Sequence, residues 1–101
     1  MNIEGISGYC DPRFEKVAEI FSSSINSGYE LGASLAVEHQ GEMVINLWGG
    51  YQDEARSKLW QEDTIVNVFS VTKGVVATCA ARLIEQGLLD IDQKVSIIGL
   101  N

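Results

Sequence analysis

The sequence predicts a small mixed α/β (α+β) fold. Three patterns carry that prediction. Apolar residues recur at helical spacing after Asp11-Pro12, two alternating runs flank Gln40-Gly41, and a second helical stretch, apolar nearly all round, begins at Ser70. With 101 residues the chain has room for one small domain with a thin core, and 1–101 is read as a single domain.

The first ten residues read as an irregular lead-in. Asp11-Pro12 then suits a helix N-cap followed by proline at the first helical position. Phe14, Val17, Phe21 and Ile25, with Ala18 and Ile20 beside them, form an apolar face. Glu15 complements the helix dipole, and Gly28 stops the helix after Ser22-Ser23-Ser24 weakens its end. Gly32 to His39 reads as a strand, Gln40-Gly41 as a tight turn and Glu42 to Trp48 as the returning strand. On that second strand Met43, Ile45 and Leu47 are assigned to one face and Val44, Asn46 and Trp48 to the other, with Gly49-Gly50 ending it. Residues 51–63 are polar apart from Trp60 and read as a surface connection. Thr64 to Phe69 is extended, Ser70 to Gln86 helical, and Gly87 a helix stop; Leu88 to Asp92 opens another short element.

Composition excludes several function classes. There are 14 acidic and 7 basic side chains, a formal net charge of −7, and the basic residues are scattered. No phosphate-binding surface for nucleic acid is expected, and the acidic surplus is read simply as solubility. Two distant cysteines, Cys10 and Cys79, and one histidine, His39, supply no metal-ligand cluster, so neither metal nor cofactor is expected. Thr64 to Ala81 is the one candidate membrane span. Lys73 near its middle would cost about 2.5–3.5 kcal/mol on insertion, and the span is rejected. The start, Met1-Asn2-Ile3-Glu4-Gly5, shows no secretory signal, and the expectation is a cytoplasmic protein with free thiols.

The chemistry centres on Ser70 and Lys73. Lys73 is the one charged residue between Asp63 and Arg82, within a stretch whose apolar character suits a protein interior. Residues three apart share a helix face, so the Ser70 hydroxyl and the Lys73 amine can meet. Desolvation favours a neutral amine, and a serine beside such a base is an activated nucleophile for acyl transfer. Nine serines and four lysines make a bare Ser-x-x-Lys weak by itself. A plainer reading stays open on the residues alone: Ser70 is an N-cap and Lys73 reaches out to solvent.

Other residues read more simply. His39 is a hairpin histidine, Cys79 a buried inert thiol, and Trp48 and Trp60 packing residues, with a substrate-lining role as the alternative. Asp53-Glu54 and Glu62-Asp63 are solvated loop charges.

Longer motifs resemble a known family. Gly32-Ala-Ser-Leu-Ala-Val-Glu-His-Gln-Gly-Glu42, Leu47-Trp-Gly-Gly-Tyr-Gln-Asp53, Trp60 with Asp63-Thr64, Phe69-Ser-Val-Thr-Lys-Gly74 and Gly87-Leu-Leu-Asp-Ile-Asp92 are similar to the N-terminal part of the serine β-lactamase and penicillin-binding-protein-like superfamily. Within it they look most like the class C β-lactamase-related, or family VIII, esterases. The resemblance covers roughly residues 5–95. It implies Ser70 as nucleophile, Lys73 as the group assisting its deprotonation, and the Ser70 backbone N–H as half of an oxyanion hole. It implies a small-molecule ester or amide as substrate, and an esterase more than a cell-wall enzyme.

The family also has a downstream Tyr-x-Asn or Ser-x-Asn element and a Lys-Thr-Gly-like strand. Tyr9, Tyr29 and Tyr51 all precede Ser70, none is followed by x-Asn, and neither element occurs in these residues. After Lys94-Val95 the tail departs from the family pattern. The expectation is a truncated, frameshifted or split gene product, inactive alone, whose apolar helix around Val71, Val75, Val76 and Cys79 meets water, a complementing chain or another copy. The alternative is a non-catalytic remnant or interaction module that docks through that helix.

Overall fold

The computed structural model describes residues 4–98. The readings of Met1 to Ile3 as lacking a leader and of Gly99 to Asn101 as departing from the family lie outside these residues. The chain forms two units, Met1–Ile65 and Val66–Asn101.

The first unit is a three-stranded antiparallel sheet with one helix. Its elements are β1 (Ile6–Cys10), α1 (Glu15–Asn26), β2 (Gly32–His39) and β3 (Glu42–Gly50). The strand order is β1-β3-β2, so β3 is bonded on both sides. The hairpin of β2 and β3 forms where the alternation and Gln40-Gly41 place it, with His39 opposite Glu42.

β1 corrects the irregular lead-in expected for residues 1–10. Ile6 pairs with Gly49 and Cys10 with Ile45. Gly8 obscures the strand in sequence, yet it serves the pairing. A Cβ there would run into the Asn46 carbonyl oxygen and stand 2.8 Å from the Trp48 ring.

A β-bulge corrects the expected faces of β3. The register shifts between Val37 and Glu38, whose partners are Ile45 and Met43, and Val44 is the extra residue. Val44 therefore turns inward beside Ile45 and Leu47, while Met43 is 52% exposed. Cys10, Ala18, Val44, Ile45 and Leu47 make the core, with Ile6, Phe14, Phe21, Leu35 and Val37 packed against it. Burial pushes the Cys10 thiol up from its ordinary pKa, with Asp11 and Glu15 adding to the effect, so it is held as an unreactive thiol.

α1 begins much as its sequence predicts. Pro12–Phe14 form a 3-10 turn capped by Asp11, whose carboxylate accepts from the Arg13 backbone N–H at 2.9 Å. Arg13 also donates through Nε at 3.0 Å and Nη2 at 2.9 Å. The helix settles on the sheet through Ala18 and Ser22, small residues four apart that allow close approach. Ile20, expected beside the apolar face, is exposed instead. Gly28, in the left-handed region at φ 79°, ends the helix as expected.

The second unit holds a 3-10 turn (Phe69–Val71), α2 (Thr72–Glu85) and the short α3 (Val95–Ile98). The helix expected from Ser70 to Gln86 is thus a tight turn leading into a slightly shorter α-helix. Leu88 to Asp92, expected to open an element, form no helix or strand, and there the Asp90 carboxylate accepts from the Asp92 N–H at 2.9 Å. No residue of α2 is buried. The helix expected to be covered in a complete domain exposes Val71, Val75, Val76 and Leu83.

Two outcomes test this description. Ile45→Ala removes the most deeply buried large side chain and should cost about 2–5 kcal/mol; loss of hydrogen-exchange protection in β3 well beyond tenfold would register it, and unchanged protection would contradict the packing. The Arg13 side-chain hydrogen bonds, first among the causes, hold the Asp11 carboxyl below the usual carboxylate range. A lowered folded pKa means that the unfolded chain binds more protons, so the contribution of Asp11 is present above pH ~4 and is lost as pH falls through the folded value. An NMR titration should find the Asp11 midpoint depressed, and Arg13→Ala should return it toward the ordinary value.

Candidate active site

Ser70 is the middle residue of the 3-10 turn and Lys73 lies in the first turn of α2. Lys73 Nζ donates to Ser70 Oγ at 3.1 Å. The contact follows from helical geometry, because three residues of tight helix return the chain to the same face. Ser70 is not the cap of α2. Val71 holds that position, and no side chain makes a capping bond there. Thr78, one turn beyond Gly74, satisfies its hydroxyl on the Gly74 carbonyl at 2.8 Å and is not available to the pair.

The environment of Lys73 differs from the sequence expectation. An interior lysine, desolvated by its apolar neighbours, is expected there, but Lys73 and Ser70 are both exposed. Cys79, read from its apolar helix as a buried thiol and, in a truncated chain, as meeting water or a partner, is exposed. The apolar neighbours are present, but they do not enclose the pair.

The backbone entering the site has an unusual conformation. Phe69 has φ 46°, in the left-handed region. For a bulky residue that conformation costs about 1–2 kcal/mol. Sequence offers no signal for it, because glycine or asparagine is what ordinarily marks such a position.

The first unit holds a cavity of about 550 Å³ bounded by the end of α1, the Glu30-Leu31 segment and the connection after β3. Trp48, Tyr51 and Trp60 line it. The Trp60 indole N–H is shut from solvent without an acceptor. Both tryptophans are half-buried, in keeping with packing residues. The connection itself is more ordered than its polar composition suggests. Tyr51 pairs with Leu59, and the Asp53 carboxylate accepts from the Ser57 and Lys58 N–H groups and the Ser57 hydroxyl. These bonds, the Ser57 hydroxyl foremost, hold the Asp53 carboxyl below the usual range. Glu62 accepts from the Asn46 amide at 3.1 Å.

His39 stacks edge-on against Phe14, with ring centroids 6.4 Å apart, as a hairpin side chain. Among the described residues no group of three or more His, Cys, Asp or Glu is arranged to hold a metal. No helix of the described residues is long and apolar enough to cross a membrane.

The chain is similar to several known proteins. A family model described as Beta-lactamase matches residues 17–97. The chain is 37% identical over 91 residues to the esterase/beta-lactamase LipL of Mycobacterium tuberculosis (strain ATCC 25618 / H37Rv), covering 90% of this chain and 21% of LipL. It is 30% identical over 77 residues to the esterase EstB of Burkholderia gladioli, covering 76% of this chain and 20% of EstB. A crystal structure of a family VIII carboxylesterase matches with a TM-score of 0.87 and 41% identity, covering 91% of this chain and 25% of that one. The chain therefore spans about a fifth to a quarter of the length of these relatives.

Proposed function

The chain belongs to the beta-lactamase family, and from that premise we propose that it carries the nucleophile of a serine hydrolase acting on esters or amides. The observation that carries this reading is the 3.1 Å contact between Lys73 Nζ and Ser70 Oγ. In the proposed reaction the Ser70 oxygen attacks the substrate carbonyl carbon while its proton passes to Lys73 Nζ. The Ser70 backbone N–H donates to the oxyanion that forms. Collapse expels the alcohol or amine, which takes the proton back from Lys73, and leaves acyl-Ser70. Water then cleaves the acyl-enzyme to the free acid and restores the hydroxyl.

Esters are favoured as the substrate class because LipL, EstB and the family VIII structure are all described as esterases. Apolar cover would strengthen the contacts of the pair, and the exposed valines of α2 are a surface on which further chain could build it. Without the downstream tyrosine and Lys-Thr-Gly elements, residues 1–101 by themselves are expected to react once at Ser70 and not to turn over.

A fluorophosphonate probe should label Ser70 covalently, and peptide mass spectrometry would locate the adduct. Lys73→Ala should slow labelling by about 10²-fold or more, and Ser70→Ala should abolish it. Label absent from Ser70, or a rate indifferent to Lys73→Ala, would overturn the reading.

A second reading rests on a different observation, the absence of any buried residue in α2. Here the chain is a non-catalytic remnant or interaction module, and this helix is its docking surface. Both readings predict that the lone 101-residue chain self-associates, which sedimentation would show as mass rising with concentration. Val75→Lys with Val76→Glu should shift the chain toward monomer. A wild-type chain that stays monomeric and melts cooperatively would count against both expectations for α2.

A further inference from the structure

We propose that α2 is an order–disorder switch. It opens from the end that carries the candidate pair, and so makes and breaks the Ser70–Lys73 contact. The inference rests on Ser70 being the nucleophile. It comes from a difference between the two ends of the helix.

The C-terminal end is well closed. The Leu88 N–H donates to the Leu83 carbonyl at 2.9 Å and the Gly87 N–H to the Ile84 carbonyl at 3.0 Å, with Gly87 at φ 74°. Those two bonds around a left-handed glycine are the Schellman closure of a helix end. Arg82 in the last turn sets its charge against the negative end of the helix dipole. Ala80, Ala81, Arg82, Leu83 and Glu85 are all strong helix formers.

The N-terminal end has none of these supports. Val71 holds the cap position without a side-chain bond, and the first turn has no acidic residue. Lys73 stands there instead, its charge against the positive end of the dipole. Thr72, Gly74, Val75, Val76 and Thr78 are weak helix formers, and all fall in the half that holds Lys73. The Thr78 hydroxyl bonds back to the Gly74 carbonyl at 2.8 Å, a contact that tends to weaken a helix.

Packing does not offset this weakness. No residue of α2 is buried, and a helix of 14 residues without tertiary support is marginal in water. The first unit keeps its own core and stays folded while α2 opens. The 3.1 Å contact between Lys73 Nζ and Ser70 Oγ needs the intervening residues in their helical turn. The first turn to open therefore separates the pair. Reactivity of Ser70 then scales with the fraction of closed helix, and a change that stabilises α2 raises it without touching the pair.

The test uses the 101-residue chain at a concentration where sedimentation shows a monomer. Amide exchange followed by NMR should find Val76, Ala77 and Thr78 within about tenfold of unstructured rates, Ile84 and Glu85 slower, and β3 slowest. A Cβ at Gly74 meets open space, so Gly74→Ala should raise the ratio of closed to open helix about fivefold. Val75 lies about 200° round the helix from Lys73, and Val75→Ala should raise the ratio about two- to threefold. Fluorophosphonate labelling of Ser70 should rise by close to the same factors, in step with helix content by circular dichroism. Exchange at residues 76–78 as slow as in β3 overturns the switch, whatever the labelling shows. Labelling that stays constant while helix content rises overturns the coupling and leaves Ser70 as nucleophile. Ser70 unlabelled in a Gly74→Ala chain whose helix has formed overturns the nucleophile reading, and the inference falls with it.

Discussion

The double pairing of β3 is the constraint on which the first unit depends. One strand bonded on both edges collects the core: Val44, Ile45 and Leu47 come from β3, Cys10 from β1 and Ala18 from α1. A sheet face of this kind must be covered to be stable, and α1 covers it with its smallest residues, so that backbone approaches backbone. The bulge at Val44 belongs to the same economy of space. By turning two consecutive residues inward it gives a thin sheet more core than strict alternation would allow.

The second unit is built on the opposite principle. Its helix α2 has the composition of an interior element and the exposure of a surface one. Burial of apolar area, worth roughly 25 cal/mol per Å², is the usual source of helix stability in proteins, and α2 does not draw on it. The match to a fifth or a quarter of the length of its relatives gives that mismatch a context. In those longer chains there is ample further sequence from which cover for such a helix could come.

The candidate site is less affected by that mismatch than its surroundings are. Ser70 and Lys73 meet through local geometry alone, a tight turn followed by one turn of helix. Relative position and chemical environment are therefore separable here. The pair has the first, set by neighbours in sequence. The second, a dry setting that would favour a neutral amine and strengthen an oxyanion contact, depends on residues distant in sequence.

Local spacing is what the sequence determined. The helical period after Asp11-Pro12, the alternation on either side of Gln40-Gly41, the stops at Gly28 and Gly87, and the i, i+3 relation of Ser70 to Lys73 all depend on near neighbours. The family motifs were readable for the same reason, as short runs of adjacent residues. Tertiary structure decided whatever needs a partner far along the chain. Ile6–Cys10 becomes a strand because it pairs with β3 some forty residues on. Val44 turns inward because β2 shifts its register. Lys73 and Cys79 stand exposed because burial belongs to the whole fold and not to a helix. The left-handed Phe69 lies between the two cases. Its turn is local, but a residue with a Cβ adopts that conformation only where the bonds around it repay the strain, and no composition rule marks that place.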